Sequence, residues 1–207
     1  MSRAKGFISF EGIEGSGKST QVKLLAEYLR SNGHDVLETV EPGGTGIGGK
    51  IRELLLEPQN HMDPLAELLL YYSDRAQHVR EVIYPALLRN TIVITDRYVD
   101  STVAYQGHAR GIDLSIIGTL NEIVVPDMKP YLTIMLDLDV EQGLQRNRDA
   151  RKVDRFEQET VDFHNRVRQG FHQIAAEEPS RVKIVDASQG KEDVSREIIK
   201  IVEEAWH

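Results

Sequence analysis

The sequence predicts an α/β fold of three layers, α/β/α, around a five-stranded parallel sheet, and three observations predict it. Short runs rich in β-branched and other apolar residues recur at 6–10, 35–40, 91–95, 131–137 and 182–186. Amphipathic stretches of helical period alternate with them, the pattern expected of strands joined by helical crossovers. The first run flows directly into a glycine-rich loop and then a helix-forming stretch, the context that a phosphate-binding loop requires.

Taken in order, strand 6–10 feeds Gly12-Ile13-Glu14-Gly15-Ser16-Gly17-Lys18-Ser19, followed by Thr20, which fits G-x-x-x-x-G-K-[ST]. Glycines let the backbone approach an anion closely, the helix N-terminus turns free N–H groups toward it, Lys18 reaches the β/γ-phosphate oxygens, and Ser19 is placed to hold Mg²⁺. Val22, Leu25, Tyr28 and Leu29 give the helical period, and Ser31-Asn32-Gly33 stops that helix after about Arg30. After strand 35–40, the stretch 41–49 is too rich in glycine to predict regular structure. It reads as a loop beside the ligand crevice or as a plain connector, with a short helix from about Lys50 to Leu56.

Asp63 and Pro64 open a long helix to about Arg89 despite Pro85. Leu65, Leu68, Leu69, Tyr72, Ala76 and Val79 form its apolar stripe, while Tyr71, Arg75 and His78 share another face. Strand 91–95 ends in Asp96-Arg97-Tyr98, where ligands gather in such sheets: Asp96 is placed to accept from the magnesium shell or orient Ser19, and Arg97 to grip a phosphate. The run 101–107 carries hydroxyl and amide groups able to read a base edge. A helix follows over 113–123, ended by Pro126, then strand 131–137 with Asp137 as a second, lower-ranked magnesium carboxylate. Beyond a helix beginning near Val140, the stretch 146–155 concentrates five cations, Arg146, Arg148, Arg151, Lys152 and Arg155. Such a run is either a solvated face or, beside a phosphate loop, a mobile lid that brings arginines to a transferring group. A long helix over 157–177, strand 182–186 and a final amphipathic helix complete one domain, 1–207, with its lid at about 146–156.

Composition narrows the function classes. A chain of 207 residues, 40% hydrophobic, fits one domain with a substantial core, and its net charge of −8 argues against a general nucleic-acid or membrane-surface binder. Cysteine is absent and no apolar stretch of membrane length is present, so the cytoplasm is the expected location. The seven histidines show no clustered metal-ligand spacing. Neither a D-x-x-G nor an N-K-x-D segment stands where a G protein would need one, and arginines on several crevice-facing segments suit a reaction that brings two phosphate-bearing molecules together.

The P-loop, Glu41-Pro42-Gly43-Gly44-Thr45, Asp96-Arg97-Tyr98 with Ser101, Ala104-Tyr105-Gln106-Gly107, and Asp154-Arg155-Phe156-Glu157 together closely resemble the thymidylate kinase family, over nearly the whole chain. The resemblance implies a P-loop NTPase fold, a homodimer without nucleic-acid or membrane partners, and ATP-dependent, Mg²⁺-assisted phosphorylation of dTMP to dTDP on the route to dTTP. ATP would lie on Gly12, Gly15, Ser16, Gly17, Lys18, Ser19 and Thr20, with Ser19 and Asp96 toward the metal. For dTMP, Glu14 would contact the 3′-hydroxyl and Arg97 the acceptor phosphate. Arg75 would reach the phosphate or the thymine O4, and Tyr71 would stack on thymine where the family commonly has Phe. Thr102, with Ser101 beside it, would meet the base edge, and Tyr105 would border the sugar. Gly15, where one branch of the family has a basic residue, places the chain with the branch whose catalytic arginines lie in the lid, here Arg148 and Arg151. The 187–189 stretch resembles the adenine-side loop. Two other readings stay open on the residues alone: a kinase for another small acceptor, and a nucleotide-dependent switch that hydrolyses ATP slowly without acceptor stimulation.

Overall fold

The computed structural model describes residues 6–149 and 154–206. Five parallel strands, β1 Phe7–Glu11, β2 Val36–Val40, β3 Ile92–Asp96, β4 Leu132–Asp137 and β5 Val182–Asp186, pair in the order β2-β3-β1-β4-β5. Phe10 pairs with Asp96 across β1/β3, and Asp96 with Val40 across β2/β3. The carboxyl ends of three neighbouring strands therefore release the P-loop, the Glu41 loop and the Asp96-Arg97 turn side by side, which assembles the site.

Side-chain alternation along the strands separates the two sheet faces. Ile8, Phe10 and Ile94 join Val22 and Leu25 of α1 (Lys18–Ser31) and Ile198 and Val202 of α9 (Lys191–Trp206). Phe7 and Val93 join Val79, Ile83 and Ala86 on the opposite side. Each fully buried Ile or Phe contributes about 2 kcal/mol, so the sheet is held mainly by these layers.

Several helices begin where local chemistry predicts. Asp63 accepts from Leu65 N at 2.8 Å to open α3 (Pro64–His78), and Asp113 accepts from Ser115 N at 2.8 Å to open α6 (Leu114–Val124). Others differ. The glycine-rich stretch turns helical at Gly46, so α2 spans Gly46–Leu56. Thr45 caps it by accepting from Gly48 N at 2.9 Å, and Gly48 backs onto Asp74 too closely for a Cβ. The helix expected to run to Arg89 widens into a π-helical turn at Val79–Ile83 and continues as α4 (Tyr84–Leu88); the wide turn lies just before Pro85, which has no N–H to donate. Residues 101–107 are helical too, in α5 (Val99–Thr102) and a π-helical Val103–Ala109. The 157–177 helix divides into a 3₁₀ turn, Arg155–Gln158, and α8 (Val161–Glu177), because Thr160 accepts from Phe163 N at 3.2 Å and starts the α-helix afresh.

Two ion pairs, one buried and one half-buried, fix the site-bearing elements. Arg181, fully buried, gives Nη1 and Nη2 to Asp100 at 2.7 and 2.8 Å, clamping α5 to the sheet end of β5. Arg168 takes both oxygens of Asp137, at 2.7 and 2.9 Å, and His172 lies 3.1 Å from one of them. Asp137 is thus committed to α8 and does not line the site cavity, which corrects its ranking as a magnesium carboxylate.

Candidate active site

A cavity of about 610 Å³ opens at the carboxyl ends of the strands. The P-loop forms one wall. Gly17, with φ 93°, precedes α1 and no side chain caps its first turn, leaving the helix N-terminus to the cavity. Lys18 Nζ donates to the carbonyls of Gly12 (3.0 Å) and Ile13 (2.8 Å), lying along the loop it serves. Burial, with the nearby charge of Arg97, pushes its pKa down to about 8. Ser19 Oγ donates to Asp96 Oδ2 at 2.6 Å, and both residues line the cavity.

Arg97 stands at the centre. Its φ is 71°, a left-handed conformation that turns the side chain back over the P-loop. Nη1 donates to Gly12 O (3.1 Å) and Ser101 Oγ (3.0 Å); Nη2 donates to Glu14 Oε1 (3.0 Å) and Tyr105 OH (3.1 Å), and the guanidinium lies 4.9 Å from the Tyr105 ring centroid. Glu14 also accepts from Tyr105 OH at 2.6 Å, and its Oε2 lies 3.3 Å from buried His164 Nδ1. Burial alone would raise the Glu14 pKa. The contact with His164 and the charges of Arg97 and Lys18 outweigh it and hold the carboxyl well below the usual carboxylate range. The Tyr105 hydroxyl, pushed up by burial, remains a donor.

Farther along the cavity, Arg75 is 1% exposed. Its Nε donates to Glu41 Oε2 at 2.7 Å and its Nη2 to Tyr98 O at 3.1 Å. Tyr71, Ser101 and Thr102 complete this end. All seven residues expected to hold the acceptor therefore share one cavity with Gly15, Gly17, Lys18, Ser19, Thr20 and Asp96. Gly12 serves through its carbonyl, which takes both Lys18 and Arg97, and Ser16 packs beneath the loop, 3.4 Å from Lys18 Nζ.

Among the described arginines of the 146–155 run, Arg146 and Arg148 separate by helix phase. On α7 (Val140–Asp149), Gly143, Arg146 and Asn147 share a face; Arg146 and Asn147 line the cavity, and Arg146 Nη1 donates to Ala187 O at 3.2 Å, next to the expected adenine-side loop. Arg148 is exposed and donates to Gln145 Oε1 at 2.8 Å, outside the cavity wall. Arg151 lies outside the described residues. Beyond them, Arg155 Nη2 meets Glu67 Oε2 at 2.5 Å and Phe156 lines the cavity, so the 3₁₀ turn Arg155–Gln158 is anchored to α3.

Four contributors had no role read from the sequence. Glu11 accepts from Tyr98 N (2.8 Å) and Ser101 Oγ (2.5 Å) and holds the Arg97 turn. His164 backs Glu14, Phe156 walls the cavity, and Glu41 braces Arg75. Only long-range pairing reveals them, although the i, i+3 placement of Arg75 and His78 on one helix face signals a shared partner.

Among the described residues no helix is long and apolar enough to cross a membrane, and no group of three or more His, Cys, Asp or Glu converges as a metal cage. Two oxygen donors beside a phosphate loop suit a magnesium ion that keeps waters and substrate phosphates as its other ligands.

Comparison with known proteins agrees with this geometry. The thymidylate kinase family model matches residues 10–198. The chain is 52% identical over 199 residues to the thymidylate kinase of Syntrophotalea carbinolica, covering 93% of this chain and 92% of that protein. It is 52% identical over 195 residues to that of Halothermothrix orenii, covering 93% of each. The crystal structure of thymidylate kinase from Ehrlichia chaffeensis superposes with a TM-score of 0.79 at 38% identity, over 96% of this chain and 98% of that one. With the P-loop, its lysine and the Arg97 cluster standing in the same cavity, these matches show that the chain belongs to the thymidylate kinase family, enzymes that phosphorylate dTMP to dTDP with ATP.

Proposed function

We propose that the transfer runs in line within this cavity, with ATP on the P-loop side and dTMP between Arg97 and Arg75. The observation that carries the reading is the Arg97 cluster: one guanidinium touches the P-loop carbonyl of Gly12 and the P-loop carboxylate Glu14, so donor and acceptor groups meet on a single loop. Arg97 holds the acceptor phosphate, Glu14 and Tyr105 border the deoxyribose, and Tyr71, Thr102 and the Arg75 guanidinium face thymine. A phosphate monoester is largely dianionic at neutral pH, its second pKa being near 6, so the acceptor oxygen needs no dedicated general base. The protein's part is alignment and charge neutralisation by Lys18 and Arg97, with Arg148 and Arg151 supplied as the lid over 146–156 closes on the site.

Ser19 and Asp96 would hold Mg²⁺; when bound, it neutralises charge on the ATP phosphates. Ser19 Oγ and Asp96 Oδ2 are already held together at 2.6 Å beside the cavity, which supports their joint role.

The same reading includes a homodimer in the cytoplasm. Leu68, Tyr72 and Val79 of the long-helix stripe face the core, while Leu65 (50%) and Leu69 (48%) are exposed, as are Leu54 (52%) on α2 and Ile116 (45%) and Ile123 (65%) on α6. An apolar surface spread over packed α2, α3 and α6 suits burial against a second copy. Sedimentation should give twice the chain mass, and Leu69→Glu should shift it toward the monomer.

The acceptor panel tests the reaction: ADP formation with ATP and dTMP, dUMP, dCMP, AMP or GMP. We expect dTMP to exceed the others by at least about ten-fold. Hydrolysis unresponsive to every acceptor would favour the switch reading instead.

A further inference from the structure

Arg75 has one free edge, and the groups behind it decide which one. Glu41 Oε2 takes its Nε–H at 2.7 Å and the Tyr98 carbonyl takes Nη2 at 3.1 Å, while the rings of Tyr72 and Tyr98 lie 5.2 and 5.3 Å from the guanidinium carbon. Nη1 is buried without a hydrogen-bond partner, in a side chain that lines the cavity. A guanidinium donates in a rigid planar fork, so fixing two nitrogens fixes the third.

Glu41 is itself braced. It is 2% exposed, its backbone N donates to Asp96 O at 3.0 Å, and its second oxygen, Oε1, lies 2.9 Å from His78 Nδ1. A carboxylate only accepts, so Nδ1 donates, and the Thr39 hydroxyl closes on Nε2 at 2.6 Å. Thr39 and Glu41 share one side of β2 by strand alternation, and His78 is one turn beyond Arg75 on α3. Gly44 packs against the far side of the His78 ring so closely that a Cβ there would collide with Nε2. The chain Thr39, His78, Glu41, Arg75 thus runs from the sheet edge to the cavity with every other polar contact satisfied.

We infer that Glu41, backed by His78, is a positioning residue that aims Arg75 Nη1 at the 4-carbonyl of the acceptor base and thereby sets discrimination against a 4-amino base. The inference deepens the proposed site and rests on Arg75 facing the base. An N–H donor aimed at that position meets a carbonyl oxygen in thymine but another N–H donor in a 4-aminopyrimidine, and an aimed donor left unmatched is costly. Without Glu41 the guanidinium keeps its charge and loses its orientation.

The test compares kcat/KM for dTMP and 5-methyl-dCMP, which differ at the 4-position and the N3 proton that accompanies it. Glu41→Gln should lower the ratio of the two by about ten-fold or more, with KM for dTMP rising more than kcat falls. His78→Gln should move the ratio in the same direction by less. A purely structural role would lower both substrates together, so an unchanged ratio in Glu41→Gln overturns the inference. Should Glu41→Gln not fold, as judged by its melting curve, His78→Gln decides in the same terms. Arg75→Ala, measured alongside, separates the two layers. If it leaves the ratio intact, Arg75 does not face the base and the site assignment fails; if it flattens the ratio while the Glu41 and His78 variants do not, only the positioning role fails.

Discussion

Gly15 of the P-loop and Gly143 of α7 pack backbone against backbone. A Cβ on Gly15, whose φ is 72°, would collide with the Gly143 carbonyl, and a Cβ on Gly143 would lie 2.5 Å from the Glu14 carbonyl. The helix that places Arg146 and Asn147 in the cavity wall is therefore seated on the phosphate loop itself. With α7 seated here no side chain fits at position 15, so a P-loop cation at that position is sterically excluded, and the cation this helix brings to the cavity wall is Arg146. Gly15→Ala should lower kcat at least about ten-fold and reduce stability by about 1–3 kcal/mol. Gly143→Ala should act through Glu14 and raise KM for dTMP as well. Steady-state kinetics with both substrates varied, beside thermal melting, checks this; wild-type kinetics in both variants would show that the seat is not needed.

Arg97 combines a left-handed backbone with a four-acceptor guanidinium, so its two roles can be separated by substitution. Arg97→Gly relieves the backbone conformation by about 1 kcal/mol relative to Arg97→Ala, and should be the more stable of the two variants. Both lose the charge proposed to hold the acceptor phosphate, and kcat/KM for dTMP should fall about 10²–10³-fold in each. A glycine variant that melted below the alanine variant would remove the backbone argument, and one that retained its rate would show that the residue serves the fold alone.

Through the hydroxyl of Ser19 and the carboxylate of Asp96 the P-loop touches the end of β3 with side chains suited to a hard cation. Asp96→Asn keeps the shape and the hydrogen bond from Ser19 but removes the charge. The Mg²⁺ concentration for half-maximal rate should rise about ten-fold, with less change in KM for dTMP. Titration of activity with MgCl₂ at fixed ATP reads it directly, and an unchanged midpoint would move the metal elsewhere.

How much of this was legible before folding depends on how local each cause is. The P-loop and the helix starts at Asp63 and Asp113 announce themselves, because a glycine-rich turn or a cap acts over a few residues. The start of α2 at Gly46 was hidden because glycine lowers helix propensity, and what makes glycine necessary at Gly44 and Gly48, close approach to His78 and Asp74 respectively, lies some 30 positions away. The π-helical turn over Val103–Ala109 has no comparable local marker. The family resemblance points to Arg148 and Arg151 and passes over Arg146; which arginine of α7 reaches the cavity wall is a question of helix phase, and phase is set by Gly143 meeting Gly15. Most opaque was Glu11: adjacent to the motif, it reads as filler, yet it meets Ser101 at a separation of 90 residues.

Glu11 also offers a prediction with a definite sign. It is fully buried, and burial, followed by the charge of Asp100, pushes its carboxyl up to about 7 against the opposing contacts of Ser101, Arg97 and the Tyr98 N–H. Below the ordinary carboxyl pKa of 4.5 both folded and unfolded chains hold the proton, so nothing is lost. Between there and about 7 the unfolded chain ionises while the folded one keeps its proton, and stability declines; above about 7 the decline is complete, at most about 3 kcal/mol. Glu11→Gln removes the titration, and its amide oxygen can still accept from Tyr98 N. The stability of the variant relative to wild type should therefore rise from pH 5 to pH 8 and level off beyond. Urea unfolding at four pH values measures the trend, and parallel profiles would mean that Glu11 is ionised in the fold throughout. The same substitution loosens the turn bearing Arg97, because one amide replaces a carboxylate that accepted from both Tyr98 N and Ser101 Oγ. Catalysis should then fall even at the pH where the variant is the more stable protein, which separates the stability cost of a buried carboxyl from the alignment it maintains.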